Sequence, residues 1–567
     1  MKFFYFIFRL TLYTFIFLGI FNSSYSKASV FNQDAKNISG YFSGIISFDN
    51  FDYTNSYKYL NNFKETGKTN QSFSSRYIQS LISLEKYNET RIYSKKLEKK
   101  NISNFESNLF LGLFELKNKN YDKAKVYFDK LKPSLEHLLT FEPLKISLTN
   151  WSEIAISNNL KKIDLISSMP KEYGSFKSVQ EAFAHCFFNS PRAEKEFEAI
   201  IKGEQSRFYR YNFFYANYLI GKGKKEKAES IVDLTLKKFP RNLLINQLKE
   251  DLKTNVKNQN KFNCNKIENI VAEIFYAFAN ALATQQNYKL SNFYLGLSKF
   301  LNPDFSSYNG LLAENFLRLK KYDEAIKIYN KLSSLGSYYK WHSSKEIALI
   351  LDMSDKEKES KDYLLNVYKK IDKNLYRTFD LANFLRGEEG FEDSIELYNE
   401  ILSKIENDHD LYPKVLDRRG TAYERIGNWE LAEKDLSLSL KILPNQAYTI
   451  NYLAYSWIEK EINTEKALTM LKKADNLKKN DGYITDSLGW ALYKLKKFSE
   501  SQIYLQRAIT LMPKDPVVND HFADCLWMNN KKIQARYYWK YVLTLEDTEK
   551  DLRQKIKNKL LFGLEKS

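Results

Sequence analysis

A small residue followed four places later by an aromatic or aliphatic residue recurs along this chain at intervals of about 34 residues. From Ser501, the pattern returns one interval on at Ala535 and one interval back at Ala467. Further copies of the small residue stand at Ala432, Ser394, Ser360, Ala325, Ser291, Ala228, Ala193, Ala124, Thr90 and Ser56. An interval this regular is typical of a row of similar structural units, each packed on its neighbours.

The recurring unit is a pair of helices joined by a turn. In the stretch from Gly482 to Asp515, Gly489 allows two helices to lie close together, and Ser501 falls where the second helix crosses the first. Several units have a proline at the same distance after the small residue, where the second helix must end: Pro240, Pro303, Pro444 and Pro513. A unit of about 34 residues with this pattern is identified as a tetratricopeptide repeat (TPR). We therefore predict an all-α, right-handed TPR superhelical solenoid of about 12 to 13 helix-turn-helix repeats.

Two irregular stretches divide the chain into predicted domains. Residues 29–240 form an N-terminal arm whose repeats are degenerate around Leu135 to Ser206, and residues 272–549 form a C-terminal arm. Between them, residues 241–271 are predicted to be an insertion, a helix followed by a loop rich in lysine and asparagine. Residues 550–567 are predicted to be a capping helix, because apolar side chains recur every four residues, at Leu552, Ile556 and Leu560.

Residues 1–28 are typical of a signal peptide. Lys2 and Arg9 flank aromatic residues and are followed by an uncharged apolar run from Leu10 to Phe21. As a helix this run would rise about 18 Å, against a bilayer core of about 30 Å. The small residue Ala28 predicts cleavage directly after it and hence export to the periplasm. The alternative is an uncleaved N-terminal anchor, which would be the only source of membrane association.

The basic charge of the chain is spread rather than concentrated. The sequence carries 87 Lys and Arg against 69 Asp and Glu, a net charge of +18, which would suit nucleic acid, an anionic membrane or acidic glycans. Lysines occur in the turns of nearly every repeat, as in LKKYDEA and YKLKKF, which is typical of solvated surfaces. With export predicted and no basic arm, we exclude a nucleic-acid partner.

No catalytic motif in this sequence is supported by the residues around it. Gly221–Lys225 resembles a phosphate-binding loop in composition, but it falls in the turn between two helices and lacks the preceding strand that such a loop needs. The histidines are scattered singly, and no cysteine pair has metal-ligand spacing. Cys186 and Cys525 are predicted to be small buried residues, and Cys264 in the insertion is given no role. We predict no enzyme activity, no cofactor and no metal site.

The C-terminal half resembles a particular group of repeat proteins. From about Pro413 to Leu545 it is similar to the TPR proteins of proteobacterial envelopes, in which a segment reading DSLGW, here Asp486 to Trp490, opens a strong repeat. The preceding NYLAYSW, Asn451 to Trp457, is similar to the previous repeat of the same family. Some members are lipoproteins that act as adaptors for a carboxyl-terminal processing protease. In this sequence no cysteine that could carry a lipid directly follows the apolar run.

The resemblance also implies where a partner would bind. In TPR proteins the first helix of each repeat lines the concave groove, with its second, fifth, ninth, twelfth and thirteenth residues pointing inward. In the last three repeats we expect the groove to be lined by Tyr448, Asn451, Tyr455, Tyr483, Asp486, Trp490, Tyr493, Asp520, Asp524 and Trp527. Aromatic rings give large contact area with little loss of side-chain freedom, and carboxylates favour a basic or amide-rich partner. The alternative is that the rings only pack between successive first helices.

These observations predict an exported, non-catalytic scaffold or adaptor that binds a protein or peptide partner in its groove. The partner would be an envelope protease, such as a carboxyl-terminal processing protease, or an assembly factor. The alternative is a peptidoglycan-binding or carbohydrate-binding envelope protein, because aromatic faces beside carboxylates also suit sugars.

Overall fold

The computed structural model of the chain describes residues 28–65, 70–202, 209–256 and 260–564. These ranges contain 30 α-helices and no strand, which confirms the predicted all-α repeat solenoid. The predicted signal peptide lies outside them except for Ala28. None of the helices within them is both long and apolar enough to cross a bilayer.

The chain divides into two compact units, the first ending at Lys356 and the second beginning at Glu357. The helices of unit 1 are α1 (Ala28–Asp49), α2 (Tyr53–Asn61), α3 (Gln71–Ser83), α4 (Tyr87–Lys99), α5 (Phe105–Lys117), α6 (Tyr121–Asp129), α7 (Leu138–Ser157), α8 (Asp164–Ser167), α9 (Gly174–Phe187), α10 (Ala193–Lys202), α11 (Tyr209–Gly221), α12 (Lys225–Lys238), α13 (Leu243–Thr254), α14 (Ile267–Thr284), α15 (Tyr288–Leu301), α16 (Tyr308–Arg318), α17 (Tyr322–Leu332) and α18 (Ser337–Asp352). Short 3-10 turns lie at Leu135–His137, Leu160–Ile163, Lys171–Tyr173 and Ser333–Leu335.

Unit 2 continues the same alternation of first and second helices. Its helices are α19 (Glu357–Lys369), α20 (Leu375–Gly387), α21 (Phe391–Leu402), α22 (Tyr412–Arg425), α23 (Trp429–Ile442), α24 (Ala447–Glu459), α25 (Thr464–Leu477), α26 (Gly482–Lys494), α27 (Phe498–Leu511), α28 (Pro516–Met528), α29 (Lys532–Val542) and α30 (Lys550–Phe562).

The recurring small residues lie where the two helices of a repeat cross. Every small residue named above lies near the start of a second helix and is completely buried, from Ser56 to Ala535. In α27 the Ser501 hydroxyl donates to the Gly489 carbonyl at 2.8 Å. A Cβ on Gly489 would lie 2.6 Å from Leu505 Cγ, so α26 and α27 touch where glycine lacks a side chain. Each predicted helix-stopping proline stands just after the end of a second helix.

Unit 1 departs from a simple row of repeats because its later helices pack on its early ones. α14 and α15 contact α3, α5 and α7 in addition to their sequence neighbours. The Phe300 ring lies 4.8 Å from Tyr87 and 5.0 Å from Phe110, centroid to centroid, and Gly296 lets α15 approach Ile82. Burial of this aromatic surface joins residues far apart in the sequence into one continuous apolar core.

The predicted insertion contains a helix, α13, and is joined to α9 by a disulfide bond. Cys264 lies in the segment between α13 and α14 and is bonded to Cys186 on α9, with a Cα–Cα distance of 5.9 Å. Cys186 is therefore not the free buried cysteine that the sequence suggested, whereas Cys525 is a buried free thiol. The insertion lies inside unit 1, and the division between units falls at residue 356, within the predicted C-terminal arm of residues 272–549.

The C-terminal helix α30 closes the last repeat of unit 2. Ile556 is completely buried, and Leu552 and Leu560 pack beside it against α28 and α29. The four-residue spacing of these side chains predicted this inward face. The same helix also brings Lys559 into contact with Asp520 and Asp524 of α28. The spacing of the apolar residues did not predict this contact.

Candidate partner-binding face

The predicted groove residues lie on three consecutive first helices of unit 2. Tyr448, Asn451 and Tyr455 are on α24, Tyr483, Asp486, Trp490 and Tyr493 are on α26, and Asp520, Asp524 and Trp527 are on α28. We call these ten side chains together the first-helix face. They differ widely in exposure, because each first helix is followed by another that covers part of it.

Two tyrosines of the first-helix face stand open to solvent. Tyr448 is 57% exposed and Tyr483 is 61% exposed, and they occupy equivalent positions on α24 and α26. The Tyr448 hydroxyl donates to the Asp481 carboxylate at 2.8 Å, and Lys478 Nζ lies 4.4 Å from the centroid of the same ring. These contacts hold the Tyr448 side chain in one orientation with its ring exposed. Little side-chain freedom would then be lost when a partner binds.

A stack of three rings lies beside Tyr483. The Trp490 indole is sandwiched between Tyr493, at 4.7 Å, and His521 of α28, at 3.9 Å between centroids. Trp490 Nε1 donates to Glu459 at 2.6 Å. Trp490 and Tyr493 are half-buried, so only part of the stack is accessible to solvent.

Asp486 is not a free carboxylate of the face. It is buried, and His521 Nδ1 lies 2.9 Å from its Oδ2. Burial by itself would lower the pKa of His521, but the carboxylates of Asp486, Asp520 and Asp524 together raise that pKa above the usual 6.5. Asp486 is therefore not available to attract a basic partner, because it is buried and hydrogen-bonded to His521.

Asp520 and Asp524 are occupied by the C-terminal helix. Lys559 Nζ lies within 2.8 Å of carboxylate oxygens of both residues, and both are buried. Burial and the neighbouring Asp520 raise the pKa of Asp524 to about 6, against the opposing effect of Lys559. Trp539 Nε1 also donates to Asp524 at 3.0 Å. These two acids hold α30 in place and are closed to a partner.

The remaining predicted residues are partly covered. Trp527 is half-buried, with the backbone of Gly563 against its ring and Lys532 Nζ 5.2 Å from its centroid. Tyr455 and Asn451 are also half-buried, and burial raises the pKa of Tyr455 well above its usual value. The solvent-accessible part of the first-helix face therefore consists of Tyr448, Tyr483 and the exposed part of the Trp490 stack.

Three residues that matter on this face were not predicted from the sequence. His521 and Glu459 hold Trp490, and Lys559 forms ion pairs with both α28 acids. Glu459 occupies the thirteenth position of α24 and so belongs to the expected groove set by position. His521 stands next to the fifth position of α28 and carries no periodic signal, and Lys559 lies outside the repeats altogether.

Unit 1 has a separate open cleft of about 680 Å³. It lies between the turns that follow α1 and α3 and the helices α15 to α18. Its rim includes the lysines Lys299, Lys320, Lys321, Lys327, Lys331 and Lys356. Ion pairs of Lys299 with Glu85 and of Lys327 with Glu324 offset part of this charge. The lining also contains Asp52 and Asp323, so acidic residues offset most of the lysine charge of the cleft.

Comparison with known proteins gives a local match and weak structural likenesses. No family model matches the chain. Over 109 residues it is 29% identical to TPR repeat-containing protein PA4667 of Pseudomonas aeruginosa. That match covers 19% of this chain and 18% of the relative, so the chain spans less than a fifth of the relative's length.

Two solved structures illustrate the structural comparison. TTC0263, described as a thermophilic TPR protein in Thermus thermophilus, is 17% identical and has a TM-score of 0.29 over 33% of this chain and 100% of its own. A tetratricopeptide repeat protein from Parabacteroides merdae is 18% identical, with a TM-score of 0.31 over 38% of this chain and 85% of its own.

Proposed function

We propose that this chain, whose repeats are tetratricopeptide repeats, is an exported, non-catalytic scaffold that binds a protein partner through the first-helix face of unit 2. Proteins built from such repeats typically serve protein interaction. An envelope protease, such as a carboxyl-terminal processing protease, or an assembly factor is the partner that the resemblance of the C-terminal half favours.

The observation that carries the proposal is the pair of exposed tyrosines, Tyr448 and Tyr483, beside the Trp490 stack. Tyrosine and tryptophan are enriched among the residues that dominate binding energy, because their rigid rings bury large areas at little entropic cost. The parts of these two rings that remain in solvent contribute no burial energy to the fold. A partner that covers them would bury both.

The internal pairing of the acids changes the expected chemistry of the partner. Asp486 is hydrogen-bonded to His521, and Asp520 and Asp524 share Lys559, so all three acids of this face are buried and engaged inside the protein. We expect the partner to be recognised mainly by ring contacts and to contribute apolar or amide-bearing side chains. Binding should accordingly depend only weakly on salt concentration.

Export is part of the proposal and is supported by the disulfide. Bonds such as Cys186–Cys264 form and persist in oxidising compartments and are rare in the cytosol. Together with the sequence of residues 1–28, this favours the periplasm. Mass spectrometry of the chain recovered from the periplasmic fraction should give a mature protein beginning at Ser29. An intact N-terminus in the membrane fraction would support the uncleaved anchor, and an intact chain in the cytosol would contradict export.

The binding proposal is tested with exposed residues only, so that folding is preserved. A photo-crosslinking residue is placed at position 483 in cells, and a matched one at position 537, where Tyr537 is 67% exposed on the second helix α29. We expect one protein adduct at position 483 and none at 537. Affinity for the purified adduct partner should fall at least about tenfold in the Tyr448→Ala/Tyr483→Ala double variant and stay unchanged in Tyr537→Ala.

Two outcomes would redirect the proposal. Equal adducts at positions 483 and 537 would mean that the first-helix face has no special role. Retention of the chain on isolated cell-wall sacculi, lost in the Tyr448→Ala/Tyr483→Ala variant, would establish the alternative, a peptidoglycan or carbohydrate ligand.

A further inference from the structure

A histidine and two glutamates from separate parts of unit 1 meet near the contact between its early and late helices. Glu106 lies on α5, and Glu136 and His137 form part of the 3-10 turn that precedes α7. One ligand atom from each side chain can be chosen so that all three lie within 4.8 Å of one another. Glu106 and His137 are buried, whereas Glu136 is exposed and opens the cluster to solvent.

The hydrogen bonds around His137 fix which ring nitrogen carries the proton. His137 Nδ1 lies 2.9 Å from the Tyr294 hydroxyl, which lies 2.8 Å from Thr140 Oγ1, and Thr140 Oγ1 donates to the His137 carbonyl at 3.1 Å. All three contacts are satisfied only when Nδ1–H donates to Tyr294 and Tyr294 donates to Thr140. The lone pair of a neutral His137 therefore lies on Nε2.

That lone pair points at a carboxylate. His137 Nε2 lies 3.2 Å from Glu106 Oε1, which already accepts from Ser75 Oγ at 2.5 Å and from Gln79 Nε2 at 3.2 Å. Two electron-rich atoms at this distance need a positive charge between them or a second proton on the ring. A metal-binding histidine usually has its other ring N–H held by a hydrogen-bond acceptor, as Tyr294 holds Nδ1 here, so that its free nitrogen faces the ion.

We propose that Glu106, Glu136 and His137 bind a divalent transition metal ion, with Zn²⁺ as the best fit. One nitrogen and two carboxylate ligands, with a fourth position left for water, match the coordination that zinc accepts. The histidine disfavours Mg²⁺ and Ca²⁺, which select oxygen ligands.

The proposed site needs only a small movement of Glu136. Tetrahedral ligands about 2.1 Å from zinc lie about 3.4 Å from each other, so the carboxylates must close in slightly. Glu106 and His137 are fixed by the core, whereas Glu136 is exposed and accepts a 3.3 Å hydrogen bond from Gln79 Nε2, which it can exchange for the ion. Through Tyr294 on α15, the bound ion would fasten the late helices of unit 1 to its early ones.

The experiment measures zinc binding directly in the full mature chain. Protein stripped with EDTA is titrated with ZnCl₂ by calorimetry, and bound zinc is counted by elemental mass spectrometry. We expect one zinc per chain in the wild type. In Glu136→Gln, affinity should fall at least about tenfold. In the matched control Glu142→Gln, another exposed glutamate of the same region on α7, affinity should not change.

Glu136→Gln separates a metal site from a structural network because the side chain is exposed and its loss does not disturb the core. Without metal, all three proteins should have the same unfolding midpoint. Zinc should raise the midpoint of wild type and Glu142→Gln but not of Glu136→Gln. As a second test, Tyr294→Phe should weaken zinc binding about 10–100-fold by releasing Nδ1.

The proposal fails if no zinc binds to the stripped protein. It also fails if zinc binds equally well to Glu136→Gln, since the ion would then be held by surface histidines such as His342 or His409.

Discussion

At the scale of single residues, the Asp486–His521 pair makes unit 2 sensitive to pH. Burial opposes the charged imidazole, but Asp486, together with Asp520 and Asp524, raises the pKa of His521 above 6.5. A raised pKa means that the stabilisation is fully present below 6.5 and is lost as pH rises through the pKa of the folded protein. We expect NMR titration of His521 to give a pKa above 6.5.

The corresponding stability measurement uses a variant in which the pair is neutral. The difference in unfolding free energy between wild type and His521→Gln/Asp486→Asn should shrink as pH rises above 6.5. Asp524, whose pKa lies at about 6, is present in both proteins and largely cancels. A difference that grows with pH would show that the imidazole is neutral when folded.

A second residue-scale prediction concerns the buried pair of Arg210 and Glu273 in unit 1. Two parallel hydrogen bonds, of 2.6 Å and 3.0 Å, join the guanidinium to the carboxylate, and Arg210 also lies 3.7 Å over the Tyr276 ring. Glu273→Gln would leave the arginine charge without its partner. Chemical denaturation should show a loss of about 3–5 kcal/mol.

The control for that loss is an exposed pair in the same unit. Lys327 and Glu324 lie 3.5 Å apart in solvent, and Glu324→Gln should change stability by less than about 1 kcal/mol. Replacing both buried partners, in Arg210→Met/Glu273→Leu, should recover much of the lost stability, because no unpaired charge remains. Equal losses in Glu273→Gln and Glu324→Gln would contradict this account.

At the scale of elements, the contact of α26 with α27 depends on Gly489. A Cβ there would lie 2.6 Å from Leu505 Cγ and 3.0 Å from the Leu505 backbone nitrogen, and Leu505 is completely buried. Gly489→Ala must therefore push the two helices apart, and we expect denaturant unfolding of unit 2 to show a loss of about 1–3 kcal/mol.

Gly387 provides the comparison within the same unit. It ends α20, and a Cβ there would meet nothing within 4 Å. Gly387→Ala should be neutral or stabilising by up to about 1 kcal/mol, since alanine favours the helix. If the two substitutions have the same effect, close approach of α26 and α27 is not what glycine provides.

At the scale of the whole molecule, the division into two units predicts two separable unfolding transitions. The Cys186–Cys264 disulfide closes a loop of 78 residues in unit 1 only. Reduction, or Cys186→Ser/Cys264→Ser, should lower the stability of unit 1 by about 3–5 kcal/mol and leave unit 2 unchanged. Hydrogen exchange followed by mass spectrometry assigns each transition to its residues.

Gly489→Ala marks the other transition and completes the test. It should lower the stability of unit 2 and leave unit 1 unchanged. A single transition that moves in both variants would mean that the two units unfold together.

The amino-acid sequence by itself determined the helix pairs. Small residues such as Ser501 and helix-ending prolines such as Pro513 recur with the period of the repeat, and each of the small residues is fully buried at a helix crossing. The pattern also placed the aromatic residues of the first-helix face on first helices, because that depends on spacing within one repeat. Contacts between sequence neighbours repeat, and a repeating contact leaves a periodic signal.

Only the tertiary structure decided which of those side chains are available to a partner. Lys559 reaches Asp520 and Asp524, His521 takes Asp486, Cys264 is bonded to Cys186, and Glu106 meets His137. Each of these contacts occurs once, between residues in different parts of the fold that are well separated in the sequence. They depend on how particular helices and turns pack, which no local pattern encodes, and they engage the acids of the first-helix face inside the protein.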